Sequence, residues 1–133
     1  MLAEHVSDLK ALQRVTFDEY EANKVLRGYV ERTLQVCVQI CLDISGHLIA
    51  EFGFRHPNDN RDTFVVLREE GIIPEEFLPN LLNMAGFRNI VVHDYARVDN
   101  AIVYGILKRR LGDFDRFARL VTDFLEAEPS LDP

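Results

Sequence analysis

The feature that most limits what this chain can become is one long segment, about Asp18 to Phe52. Its middle (Leu34, Val36, Cys37, Val38, Ile40, Cys41, Leu42, Ile44) is apolar on nearly every side of a helix. A helix that is apolar all round has to be surrounded, either at the centre of a bundle or in a contact between subunits. The other periodic segments also read as helices. Leu2, Val6, Leu9 and Leu12 follow a 3–4 spacing. Gly53 to Asn60 interrupts the long segment, and a third helix from about Asp62 to Glu70 stops at Gly71. Pro74 suits the first turn of a fourth helix, and Pro79 then marks that turn as a separate short piece. Asp99 caps a fifth, along which Ile102, Val103, Ile106, Leu107, Leu111, Phe114, Phe117, Val121 and Phe124 form an unbroken apolar stripe. There is no strand pattern, repeat or linker. The expectation is an all-α, antiparallel up-and-down bundle of four to five helices over residues 1–125, followed by a polar, frayed tail at 126–133.

At 133 residues the chain reads as one domain with a real core. Cys37 and Cys41 lie one helical turn apart in the apolar run and read as core thiols of a reducing compartment. The four His show no paired spacing, so no metal site and no cofactor are expected. Residues 1–10 mix charges with apolar residues, unlike a signal peptide. No uninterrupted apolar stretch reaches membrane-spanning length, and a cytosolic protein without membrane contact is expected. A net charge of −7 argues against broad, nonspecific nucleic-acid binding. Local basic clefts remain open at Lys108-Arg109-Arg110 and around Arg55, His56, Arg61 and Arg68, where solvated faces with nearby acids serve equally well.

Functional side chains concentrate at Arg88-Asn89-Ile90-Val91-Val92-His93-Asp94-Tyr95. An arginine can grip a phosphate with two parallel hydrogen bonds, and an imidazole can move protons near neutral pH. On an ideal helix, Arg88 falls on the apolar arc of Leu81, Met84, Val91 and Val92. Asn89 and His93, four residues apart, share a more polar arc. Arg88 and His93 then diverge by roughly 140°. They meet at one phosphate only if the Arg arm swings over, the helix loosens, or a second subunit supplies one of them. A further pattern runs up the long helix, where Gln35, Gln39, Asp43 and His47 recur every four residues. Asp43 is a candidate mate for Arg88, and a buried salt bridge that only fixes packing would look the same.

The run Met84-Ala85-Gly86-Phe87-Arg88-Asn89-Ile90-Val91-Val92-His93-Asp94-Tyr95 resembles the Arg-x4-His-x-Tyr motif of HEPN-domain toxins of the HepT type. Leu42-Asp43-Ile44 with His47, Gly71-Ile72-Ile73, and Val98-Asp99 to Leu107 extend that likeness over about residues 20 to 125. The resemblance implies an all-helical homodimer with the two motif helices lining a shared cleft. It also implies metal-independent cleavage of RNA. The implied partner is a small nucleotidyltransferase antitoxin that silences the toxin by adding AMP to the motif tyrosine. Arg88 and His93 would be the catalytic pair, with Asn89 as a polar support and Tyr95 the modification site; Asp43 is expected in support only as the candidate mate of Arg88. The rival expectation is a non-catalytic helical subunit that grips RNA or nucleotide for a nucleotidyltransferase, with a purely structural dimer as a third.

Overall fold

A computed structural model describes residues 1–127. Among these residues there are seven α-helices and no strand: α1 (Leu2–Lys10), α2 (Phe17–Ala22), α3 (Lys24–Phe52), α4 (Asn60–Glu69), α5 (Leu78–His93), α6 (Asn100–Arg109) and α7 (Leu111–Ala127). Short 3-10 turns, Glu75–Phe77 and Tyr95–Arg97, flank α5. The all-α bundle expected from the sequence is present, and two of its five rods are each divided.

The first division is at Asn23. Its backbone is extended (φ −110°, ψ 95°) and its side-chain oxygen accepts the Leu26 amide at 3.0 Å. An asparagine that satisfies an amide in this way offers the backbone an alternative to continuing the preceding helix. Helix α2 has its own start, a capping box in which Thr16 and Glu19 exchange hydrogen bonds at 2.9 and 3.1 Å. The second division is at Arg110, which leaves helical geometry at φ −118° and ψ 1°. The apolar stripe keeps its phase across the break, because Leu107, Leu111 and Phe114 are all buried. The stripe is thus continuous although the helix is not. Helix α7 carries Glu126 and Ala127, the first two residues of the expected tail; the rest of it, 128–133, lies outside the described residues.

Helix α3 is the hub, packing against α1, α2, α4, α5, α6 and α7. By length and a mean hydropathy of 1.4 it would qualify as a membrane-crossing helix, yet half of that window is buried inside the bundle. Its buried side carries Val30, Leu34, Cys37, Val38, Cys41, Leu42, Leu48 and Ile49. Gly53 ends it in the left-handed region (φ 68°), where a residue without a Cβ is unstrained. Across the core, the rings of Phe64 on α4 and Phe117 on α7 meet edge-on at 6.1 Å.

The polar periphery fastens the segments. Gln13 donates to the Leu107 carbonyl at 2.9 Å and the Tyr104 hydroxyl to the Val15 carbonyl at 2.7 Å, tying the α1–α2 connection to α6. Arg55 clasps Asp62 at 2.8 Å and Glu69 at 2.7 Å, and Arg68 pairs with Glu75 at 2.7 Å. The Arg55 guanidinium, helped by the Asn58 amide, holds the Asp62 carboxyl down at about 2. Two arginines of one expected basic cleft are therefore committed to internal acids.

Phe64 is fully buried. Phe64→Ala should lower the unfolding free energy by about 3–5 kcal/mol, read from urea denaturation, because the rigid bundle cannot close the cavity.

Candidate active site

Helix α5 carries most of the motif. It starts at Leu78 with Pro79 in its first turn, where a missing amide costs nothing, and ends at His93 with the Asp94 amide bonded to the Ile90 carbonyl at 2.9 Å. The chain then tightens: Arg97 and Val98 donate backbone bonds to the Asp94 and Tyr95 carbonyls at 2.9 and 3.0 Å. This 3-10 turn changes the direction in which the last motif residues point.

Arg88 is half-buried on the side of α5 facing α3. Its Nε donates to Gln39 Oε1 at 3.1 Å, and Nη1 reaches Asn89 Oδ1 at 3.5 Å. The expected Arg88–Asp43 partnership is not a direct one. Asp43 is exposed and accepts from Gln39 Nε2 at 2.8 Å, so the Gln39 amide stands between cation and carboxylate. The polar seam of α3 is not buried either: Gln35 and Gln39 are half-buried, and Asp43 and His47 are exposed. A buried ion pair would require desolvating both charges, whereas an amide relay at the surface leaves the carboxylate in water.

His93 is exposed and stands elsewhere. Together with Asp59, Asn60, Asn89, Ile90, Asp94 and Arg97 it lines a shallow cleft of about 450 Å³. Asn60, from the start of α4, reaches Asn89 Oδ1 at 3.4 Å, so Asn89 is shared between the cleft and Arg88. Arg97 faces Asp94 at 3.4 Å and is largely exposed. The cleft lining contains His93 and Asn89 but not Arg88. In one chain the arginine and the imidazole therefore look onto different surroundings, as the helical angle requires. A second groove of about 400 Å³ runs along α5 and α6, with Phe87, Ile90, Ile102 and Ile106 in its lining; it also touches Arg97 but holds neither Arg88 nor His93.

Tyr95, delivered by the 3-10 turn, is 58% exposed, and its hydroxyl donates to the Glu31 carboxylate of α3. That hydrogen bond, with some desolvation, raises the phenol above its ordinary range. Glu31 is a site residue that motif reasoning misses. The available signal was a carboxylate among Val30, Thr33 and Leu34, on the side of α3 that becomes buried. Asn60 and Arg97 left no comparable signal, since neither spacing nor composition marks them.

The mRNA nuclease HepT of Shewanella oneidensis is 31% identical over 115 residues, covering 85% of this chain and 86% of that protein. A crystal structure of a toxin–antitoxin with AMP-PNP is similar with a TM-score of 0.84, at 25% identity and 92% coverage of both chains. The tri-AMPylated Shewanella oneidensis HEPN toxin, solved in complex with its MNT antitoxin, is similar with a TM-score of 0.77 and 26% identity, over 92% of this chain and 96% of that one. Residues 2–121 match the family described as ribonuclease HepT-like, and the chain belongs to that family.

Proposed function

We propose that the chain is the ribonuclease toxin of a toxin–antitoxin pair, cutting RNA as a homodimer and silenced when a nucleotidyltransferase places AMP on Tyr95. The observation that carries this reading is the motif's division of labour. Arg88 is held in place by Gln39 and Asn89, while His93 stands free at an open cleft.

The chemistry is an internal transesterification. The ribose 2′-oxygen attacks phosphorus, the bond to the 5′-oxygen breaks, and a 2′,3′-cyclic phosphate and a 5′-hydroxyl result. His93 takes the 2′ proton or returns one to the leaving oxygen. Arg88 stabilises charge on the phosphorus oxygens, and its Nη2 is not engaged in a hydrogen bond among the described residues. Asn89 bridges the two groups, and Asp43 acts one step removed by orienting the Gln39 amide. No metal is required by these steps.

A homodimer supplies what one chain separates. Beside Gln39, Val36 and Ile40 remain half-buried on the outer side of α3, and Val92, one turn beyond Arg88, is 41% exposed. Covering that strip with a second copy brings the arginine of one subunit towards the cleft of the other. AMP on Tyr95 then adds a bulky anion two residues from His93, which opposes RNA by charge and by volume.

His93→Ala and Arg88→Ala should each lower RNA cleavage by at least about 100-fold while the helical circular-dichroism spectrum is kept. Wild-type cleavage should survive EDTA and leave 2′,3′-cyclic ends. Full activity of His93→Ala, or a strict metal requirement, would overturn the mechanism. Mixing the two inactive variants should restore part of the activity, because one cleft of a mixed dimer then has both groups intact. No recovery in proven mixed dimers would place the pair within one subunit. Tyr95→Phe should cleave RNA normally and escape silencing by the nucleotidyltransferase, as judged by growth arrest in its presence.

A further inference from the structure

The RNA-cleaving steps have no use for a carboxylate beneath the motif tyrosine, yet one is there. Glu31 is 4% exposed and, among the described residues, forms no ion pair with a lysine or arginine. Arg27, one turn earlier on the same helix, gives its Nη1 to the Glu21 carbonyl instead. A carboxylate taken out of water needs donors, and the one that reaches Glu31 is the Tyr95 hydroxyl. Tyr20 of α2 is a second phenol in this corner. It is fully buried, its hydroxyl has no hydrogen-bond partner among the described residues, and burial followed by the Glu31 charge pushes its titration upward. Glu31 thus faces Tyr20 from α2, Arg27 from its own helix and Tyr95 from the 3-10 turn.

We propose that Glu31 is the general base for nucleotidyl transfer onto Tyr95, an inference that rests on Tyr95 being the AMP acceptor. A phenol is protonated at neutral pH and must lose that proton as it attacks phosphorus. The Tyr95 Oη–H proton passes to the Glu31 carboxylate while Oη bonds to the α-phosphorus of ATP. The bond from that phosphorus to the oxygen bridging to the β-phosphate breaks, and pyrophosphate leaves. Base and acceptor already stand within hydrogen-bond reach, as proton transfer requires. The tyrosine is more than half exposed, so the nucleotide approaches from solvent while the carboxylate holds the proton from the protein side. Glu31 therefore makes the toxin a participant in its own silencing, contributing a group the transferring enzyme need not bring.

The test follows AMP incorporation by intact mass and peptide mapping, using the whole chain, ATP, magnesium and the MNT nucleotidyltransferase. Glu31→Gln keeps an acceptor for the Tyr95 hydroxyl but cannot take its proton. It should lower the transfer rate on the order of 100-fold. The KM for ATP and the cleavage of RNA should stay as in the wild type, and the acid limb of the pH–rate profile should disappear. Glu31→Asp, which restores a carboxylate, should recover part of the rate. Equal rates and equal pH profiles for wild type and Glu31→Gln would overturn the role of Glu31 alone. If the Gln variant fails to fold, an Asp variant without recovery, or a wild-type rate with no acid limb, overturns it equally. A wild-type chain that takes no AMP, or takes it elsewhere than Tyr95, would sink the acceptor assignment itself.

Discussion

The partners of Arg88 and Tyr95 are set by the covering of α3. A 29-residue helix with an apolar flank has to be enclosed, and six other helices do so. Once enclosed, its remaining polar residues can meet only what the neighbouring helices bring past them. Gln39 meets Arg88 from α5, and Glu31 meets Tyr95 from the turn that follows. The same rod thus anchors the motif arginine and the motif tyrosine, about two turns apart. Moving α5 by one turn along α3 would break both contacts together.

The motif itself is a compromise between a helix and its end. Four residues separate Asn89 from His93, so they share a side; five separate Arg88 from His93, so those two do not. The helix stops at His93, which leaves the imidazole at an open edge beside Asn60 and Arg97. The 3-10 turn then sends Tyr95 back towards α3. Arginine, imidazole and phenol consequently occupy three environments: a half-buried amide relay, a solvent cleft, and a buried carboxylate. That separation fits the proposed function, in which cleavage and silencing are different events at adjoining places.

Much of the fold was legible because helical periodicity is a local property. Gly53, Gly71 and Asp99 mark their ends or starts in the sequence, and each does so in the structure; the separate short piece expected before Pro79 is the 3-10 turn Glu75–Phe77. The break at Asn23 was hidden, because an asparagine inside a periodic run is compatible with helix until its side chain takes the Leu26 amide. The break at Arg110 was hidden for the opposite reason: the apolar stripe does not change phase there. The motif residues could be named from the chain, as could the angle between Arg88 and His93. The assignment of Asp43 as the direct mate of Arg88 failed because opposite charges were matched, whereas the half-buried position favoured a neutral amide.

By itself the sequence determined the helical class, the family motif, the membership of Arg88, Asn89, His93 and Tyr95 in one short segment, and the divergence of the first and third of these. Such properties depend on residues near one another in the chain, where bond geometry dictates the relation. Only the tertiary structure decided that Gln39 rather than Asp43 holds the arginine, that Asn60 and Arg97 complete the cleft, and that a buried Glu31 waits under Tyr95. Those partners come from separate helices or from beyond the helix end. Which of them meet is set by how the apolar faces interlock, a collective result that no local spacing encodes.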